Sequence, residues 1–140
     1  MASGIYNIRD ACHDDLPLVI NSWVKAHASF TRADGCVIRY VNHPAVVLDL
    51  VQRCSVIVAY DPDDPSEVFG WLCHELIQGE LVIHYAFIKQ VFRRHGIANG
   101  LYDRVATGRA FTATHGGFTF AELRARYHFE LNPFLLKEPK

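Results

Sequence analysis

The sequence predicts an α/β domain with a mixed, mainly antiparallel central sheet of about six or seven strands and helices on both faces. Three observations carry this. Apolar runs at 56–60, 68–77 and 81–88 follow one another with only turn residues between them, which favours antiparallel neighbours. A helical pattern marked by Ile97, Leu101 and Val105 separates the run at 81–88 from a shorter one at 111–114, and a helical crossover joins parallel strands. Two amphipathic stretches precede the first of these runs.

Residues 5–11 alternate weakly and are expected as a first strand. Asp14 or Asp15 can cap a helix with Pro17 in its first turn. Leu16, Val19, Ile20, Trp23, Val24 and His27 recur at helical spacing, with His27 near the negative pole of that helix. Residues 28–42 lose the period and are expected as a loop. His43-Pro44 opens a second helix, with Val47, Leu50, Val51 and Cys54 turned inward. Residues 61–66, reading DPDDPS, are expected as a solvated turn, because proline breaks both strand and helix. Gln78-Gly79 reads as a hairpin turn. Gly100 sits inside the third helix at a cost of about 1 kcal/mol against alanine, so close packing or a ligand's approach is expected there. Thr119 can cap a last helix over 120–127, and 129–136 is a final extended piece.

The 140 residues suffice for a real core, and a single domain over 1–140 is expected. The formal net charge of −1 gives no global field toward nucleic acid or membrane, so neither is expected as a partner. Arg93, Arg94 and His95 nevertheless form a local basic turn. The four cysteines, Cys12, Cys36, Cys54 and Cys73, are scattered, which favours free, mostly buried thiols over disulfides or zinc. Cys12-His13 and Cys73-His74 are adjacent pairs whose members face opposite ways on a strand, so no metal site is expected. The first residues show no apolar signal-peptide core, and no apolar run reaches the length of a membrane span. A reducing cytoplasm is the expected location.

The stretch 87–98, FIKQVFRRHGIA, carries the most chemistry. A strand runs into a short basic turn that ends in Gly96-Ile97-Ala98 at a helix start. Unpaired N–H groups and the helix dipole both favour an anion there, above all phosphate. Gly96 permits close backbone approach, Ala98 keeps bulk away, and consecutive N–H groups make an anion nest. The series from Arg93 to Ala98 fits the pattern R/Q-x-x-G-x-G/A. On these residues, and on the order of elements around them, the chain resembles the GNAT superfamily of acetyl-CoA-dependent N-acetyltransferases. The segments GWLCHE, LVIHYAFIKQVFRRHGIA, ATHGG and LNPFLL are also similar to small GNAT-like proteins of tailed phages and prophages.

The resemblance implies that Arg93, Arg94, His95, Gly96, Ile97, Ala98 and Asn99 wrap the pyrophosphate of coenzyme A. It implies a splay between the fourth and fifth strands that admits the pantetheine arm. Backbone groups of Phe87, Ile88 and Lys89 would pair with that arm, one of them polarising the thioester oxygen. Acceptor recognition would come from the segment between the first two helices, with Arg32, Arg39 and Tyr40, and from the chain end. The implied activity is transfer of acetyl from acetyl-CoA to a primary amine of a small molecule or protein by direct attack. The location would be the cytoplasm, that of the host for a phage protein, and a homodimer is allowed for.

An ammonium with a pKa near 10.4 must first lose a proton to a base. Strict alternation on the fourth strand puts Val82, His84, Ala86 and Ile88 on one face and Ile83, Tyr85 and Phe87 on the other. Val82 stands where some members of the family carry a base glutamate. His84 near the expected thioester, and Glu75 on the neighbouring strand, are the candidate bases. Alignment on Phe129 puts Arg124 where many members carry a tyrosine acid, so Tyr127, out of register, or water takes that role. His115 would face the cofactor sulfur or cap a helix, the cap being the expectation. Two other classes stay open. One is a catalytically weak or inactive module of phage origin that binds acyl-CoA or a protein, favoured by the missing glutamate and tyrosine. The other is a phage enzyme modifying a DNA base, to which the net charge lends no support.

Overall fold

The computed structural model describes residues 6–26, 30–33, 36–39, 42–93, 95–115 and 126–132, with 30–33 and 36–39 described by their backbone. Along the chain these form β1 (Asn7–Asp10), α1 (Leu16–Ala26), β2 (Phe30–Ala33), β3 (Cys36–Arg39), α2 (His43–Arg53), β4 (Ser55–Asp61), β5 (Asp64–Ile77), β6 (Glu80–Ile88), α3 (Ile97–Ala106), β7 (Phe111–Ala113) and β8 (Phe129–Leu131). Single 3₁₀ turns occupy His13–Asp15 and Gln90–Phe92. Six strands make one open sheet in the order β1-β4-β5-β6-β7-β8. The pairings from β1 to β6 are antiparallel, and those of β6 with β7 and β7 with β8 are parallel. The mixed, mainly antiparallel sheet is therefore present, with the crossover through α3 as the sequence predicts.

Both faces of the sheet are covered, which is why its central strands read as nearly continuous apolar runs. On one face Val19 and Trp23 of α1 and Val46, Val47, Leu50 and Val51 of α2 pack on Val56, Val58, Val68 and Trp71. On the other, Ile97, Leu101, Tyr102 and Ala106 of α3 pack on Ile57, Ala59, Phe69, Leu72 and Ile83. The α1 entry is fixed by Asp15, whose carboxylate accepts from the Cys12 N–H at 2.8 Å and from Arg9 at 2.7 Å. Gly100 is explained by packing: a Cβ there would collide with the Tyr6 hydroxyl.

Three expectations are corrected. Residues 28–42 are not a plain loop. They contain a two-stranded antiparallel sheet of β2 and β3, paired from Phe30↔Arg39 to Ala33↔Cys36. Two residues, Asp34-Gly35, separate the strands, and that dipeptide is itself a strong hairpin signal. The segment 61–66 is not all turn. β4 runs to Asp61 and β5 begins at Asp64, leaving Pro62-Asp63 as the turn, and Pro65 falls in an irregular stretch of the register, where its missing N–H breaks no ladder bond. Strict alternation also fails in β6. The register passes from Cys73↔Tyr85 to His74↔Ile83, so His84 is an extra, bulged residue. Ile83 consequently shares the α3 face with Ala86 and Ile88, while Tyr85 and Phe87 pack on the α1/α2 face. One inserted residue shifts the period of two by a full face.

The expected helix end at His27, residues 120–125 of the helix expected over 120–127, and the chain beyond 132 lie outside the described residues; Arg126 is helical and Tyr127 is not. Among the described residues no helix is long and apolar enough to cross a membrane. Leu101 is fully buried between α3 and the sheet. Leu101→Ala is expected to cost about 2–5 kcal/mol in urea unfolding, and a loss below about 1 kcal/mol would contradict the docking of α3.

Candidate active site

β6 and β7 pair only at Val82↔Thr112 and Ile83↔Ala113, followed by a Thr114 N–H to Ile83 C=O bond of 3.4 Å. β7 then ends, while β6 continues to Ile88. The bulge at His84 coincides with this parting. The Lys89 N–H donates to the Phe69 carbonyl at 2.9 Å, which sets the parity of the antiparallel ladder. By that parity the backbone groups of Phe87 and Lys89 face β5, and those of Ala86 and Ile88 face the opening. Arg93 Nε donates to the Ile88 carbonyl at 2.9 Å. Of the three backbone positions the sequence singles out, Ile88 points its N–H into the wedge. Ala86, which the sequence does not single out, does so too.

The turn after β6 is closed by the Phe92 N–H on the Lys89 carbonyl at 2.9 Å and anchored by Phe92 against Phe69. Gly96 adopts φ 79°, a left-handed value that glycine takes without strain, and it caps α3 with no side-chain bond. The first intrahelical bond runs from the Gly100 N–H to the Gly96 carbonyl, so the N–H groups of Ile97, Ala98 and Asn99 precede it. Ile97 is buried and pins this corner, whereas Arg93 and His95 are exposed beside it. Arg94 and Tyr40 lie outside the described residues, and Arg32 and Arg39 are placed on the strands of the β2–β3 hairpin. A cleft of about 500 Å³ lies on the β4–β5 side of the turn, floored by Phe69, Phe92 and Ile97 and rimmed by Asp61, Asp63 and His95. Its two aspartates disfavour phosphate in that cleft. Three successive N–H groups, no side-chain cap and an adjacent arginine fit a diphosphate.

At the parting of the strands lies a chain of polar side chains. Arg53 Nη1 donates to Glu75 Oε1 at 2.8 Å, and Glu75 Oε2 meets His84 Nε2 at 2.5 Å. His84 Nδ1 meets Thr114 Oγ1 at 2.8 Å, and Thr114 Oγ1 meets His115 Nδ1 at 3.0 Å. His115 Nε2 meets His43 Nε2 at 3.1 Å. His43, His84, Thr114 and His115 are all buried. Cys54, Glu75 and His84 also bring one ligand atom each within 4.8 Å of one another. Glu75 and His84 are bonded to each other, however, and the Arg53 guanidinium touches both Glu75 and Cys54, so a proton and an arginine already satisfy this donor set.

Burial works against the Glu75 carboxylate, but the hydrogen bond and charge of His84, with Cys54 and Arg53, outweigh it and hold the carboxyl below its usual range. Hydrogen bonding to Cys73 and to His84 brings the Cys54 thiol down to about 6, while burial pushes the Cys73 thiol well up. Burial alone lowers His43. Cys54 is half-buried and Cys12 exposed, so of the free thiols at Cys12, Cys54 and Cys73 only the last is fully inside.

The structure brings His84 and Glu75 together, and it keeps Tyr127 apart from them. The Tyr127 hydroxyl donates to Asp103 Oδ1 at 2.6 Å, also lies 3.2 Å from the Asn99 carbonyl, and its ring packs on the α3 side. His115 bonds Thr114 and His43, and the helix it was expected to cap is outside the described residues. His43, Arg53, Cys54 and Thr114 were not singled out as site residues. No sequence period connects positions 43, 84 and 114–115, so only folding reveals their contact.

No protein-family model and no curated protein matches the chain. Among solved structures it is similar to the histone acetyltransferase HPA2 and related acetyltransferase from Corynebacterium glutamicum, with TM-score 0.58 and 16% identity over 87% of this chain and 83% of that one. It is similar to Ard1 from Thermoplasma volcanium, with TM-score 0.52 and 20% identity over 74% and 62% of the two chains. A GNAT family N-acetyltransferase from Escherichia coli in complex with CoA matches with TM-score 0.52 and 17% identity over 74% and 55%. The chain thus spans less than two thirds of the length of the last two. It has the GNAT fold.

Two outcomes follow from the charges around Glu75. Its carboxyl is more acidic when folded, so it contributes stability that is present above the ordinary carboxylate range and lost as pH falls through the lowered folded value. In urea unfolding the gap between the protein and Glu75→Gln should be larger near pH 7 than in acid below the ordinary carboxylate range, shrinking as pH falls through the lowered folded value, and an equal gap at all pH values would refute the pairing. Cys54 should be alkylated by iodoacetamide at pH 7 ahead of Cys12, as read by peptide mass spectrometry, despite its lower exposure.

Proposed function

We propose that this chain is an acetyl-CoA-dependent N-acetyltransferase, a single cytoplasmic domain that moves an acetyl group to a primary amine of a small molecule or protein by direct attack. The observation that carries the reading is a coincidence of three features along β6 and the turn that follows it. β6 leaves β7 at Ile83, bears at that point a buried His84 bonded to Glu75 of β5, and leads through a short turn to the start of α3, where among the described residues no side chain caps the first N–H groups.

Bound in the wedge, acetyl-CoA supplies an activated acetyl thioester for a neutral amine. The N–H groups of Ile97, Ala98 and Asn99, with Gly96 and His95, bind the diphosphate, and Arg93 and Arg94 add positive charge. The Ala86 and Ile88 edge of β6 pairs with the amide arm as an added strand would. The Ile88 N–H orients the thioester oxygen. His84 takes up the proton at Nδ1 by way of Thr114 Oγ1, and Glu75 at Nε2 stabilises the imidazolium so formed. Tyr127, bonded to Asp103 and Asn99, serves α3 rather than the departing sulfur. Arg32, Arg39 and Tyr40 belong to the segment proposed to meet the acceptor.

Acetyl-CoA at a hundred times its Kd should add about 2.7 kcal/mol of stability, read as a raised melting temperature. Gly96→Glu should abolish that shift by placing a carboxylate against the diphosphate. A Cβ at Gly96 meets nothing within 4 Å, so the expected cost to the free protein is backbone strain of about 1–2 kcal/mol. An undiminished shift in Gly96→Glu would place the coenzyme elsewhere. Chromatographic loss of acetyl-CoA with a panel of primary amines reads turnover, and binding without turnover on the whole panel would reduce the protein to an acyl-CoA-binding module.

A further inference from the structure

The side chains gathered at the foot of α2 carry three kinds of donor. One ligand atom each from Cys54, Glu75 and His84 lies within 4.8 Å of the others. We propose that these three side chains are a binding site for one zinc-class divalent cation, held by the Cys54 thiolate, His84 Nε2 and a Glu75 carboxylate oxygen. In the structure a bridging proton and Arg53 satisfy the same atoms, and the ion takes their place. The binding does not rest on the acetyl-transfer reading above.

Three elements bring the donors together. Ser55 pairs with His74 across an antiparallel ladder, so the residue before Ser55 and the residue after His74 stand level. Those residues are Cys54 and Glu75. Cys54 is fixed at the end of α2 by its N–H on the Leu50 carbonyl at 2.8 Å. The bulge takes His84 out of the alternation of β6 and sets its ring against Glu75. A thiolate, an imidazole and a carboxylate are ligands that zinc accepts, whereas magnesium and calcium ask for oxygen alone. Three protein ligands leave one tetrahedral position for water, on the side where Arg53 now lies. The outer bond that orients a ligating histidine is also in place, since His84 Nδ1 lies 2.8 Å from Thr114 Oγ1. The set spans positions 54, 75 and 84, a spacing with no sequence signature.

Loading calls for two movements, both on the solvent side. Nitrogen and oxygen ligands of a tetrahedral zinc, each at about 2.0–2.2 Å, stand roughly 3.4 Å apart. His84 Nε2 and Glu75 Oε2 are 2.5 Å apart, so the partly exposed carboxylate backs away while the buried ring stays. The Arg53 guanidinium must leave Glu75 and Cys54. Its side chain is 47% exposed, and Asp49 Oδ2 already holds its Nε at 2.9 Å, so it keeps a partner when it swings out. The proton between Glu75 and His84, and that of the thiol, pass to solvent as the ion binds. A ring bound at Nε2 carries its one hydrogen on Nδ1 and takes up no other. Zinc therefore stops any transfer that uses His84 as base, and this consequence alone rests on the acetyl-transfer reading.

Cobalt(II), a coloured substitute for zinc, reads the site in the whole chain at neutral pH without oxygen and without any substrate. The expected result is one bound equivalent with a thiolate-to-cobalt charge-transfer band in the near ultraviolet, bleached by zinc and untouched by magnesium. Cys54→Ala should lose the band and weaken cobalt binding by roughly 100-fold, and Glu75→Gln should keep the band and weaken binding by roughly tenfold. Zinc should protect Cys54, and not Cys12, from iodoacetamide in the unaltered protein, as read by peptide mass spectrometry; this arm needs no variant to fold. No band in the folded protein, a band that survives in a folded Cys54→Ala, or equal protection of both cysteines overturns the proposal. With acetyl-CoA and phenethylamine, saturating zinc should lower kcat roughly tenfold or more in the unaltered protein and much less in Cys54→Ala. Equal inhibition of the two would overturn the inhibitory consequence. The band in a protein that turns over no amine would withdraw acetyl transfer and uphold the metal site.

Discussion

The separation of β6 from β7 just past Ile83 is the constraint on which the rest depends. A parallel pair normally continues as long as both strands last, because each lost ladder bond strands a buried donor and acceptor. Here the pairing stops where β6 inserts an extra residue. The bulge at His84 does two things at once. It moves Tyr85 and Phe87 onto the α1/α2 core, and it turns the His84 ring toward Glu75 and Thr114. A strand without the bulge would carry the same residues and place none of these groups together.

Four buried polar side chains in a small core are costly unless each finds a partner. They are tolerated because His43, His115, Thr114 and His84 satisfy one another in sequence and end on a carboxylate held by Arg53. Hydrogen bonds between buried groups strengthen one another in a low dielectric, so substitutions within this chain of side chains are expected to couple. Hydrogen bonds to Cys73 and His84 favour the Cys54 thiolate against the Glu75 charge, while burial keeps the proton on the deeper Cys73. The polar chain also lies on the face opposite Tyr127, which bonds α3 instead. The buried polar side chains thus sit on the α1/α2 side of the sheet, and the basic turn leads to the start of α3.

Much of this was legible in the residues themselves. The order of strands and helices, the turn at Gln78-Gly79, the αL glycine at 96 and the exposed helix start after it all follow from local rules. The β2–β3 hairpin was legible too, through Asp34-Gly35, but the arginines and aspartate around it hid the strand pattern. The failure in β6 was of another kind. Nothing in LVIHYAFI marks which residue bulges, because the bulge is set by the register of β5 against it. His43 was read as a helix opener and His115 as a cap, which are reasonable local roles for polar residues next to helices.

Sequence alone determined the sheet class, the crossover and the glycine turn into α3, since each rests on periodicity or on φ preferences that act within a few residues. Tertiary structure alone decided which face His84 joins, and that residues 43, 75, 84, 114 and 115 meet. Those contacts join α2, β5, β6 and the end of β7, and only the packing of the helices and strands on one sheet brings such distant positions within hydrogen-bond reach.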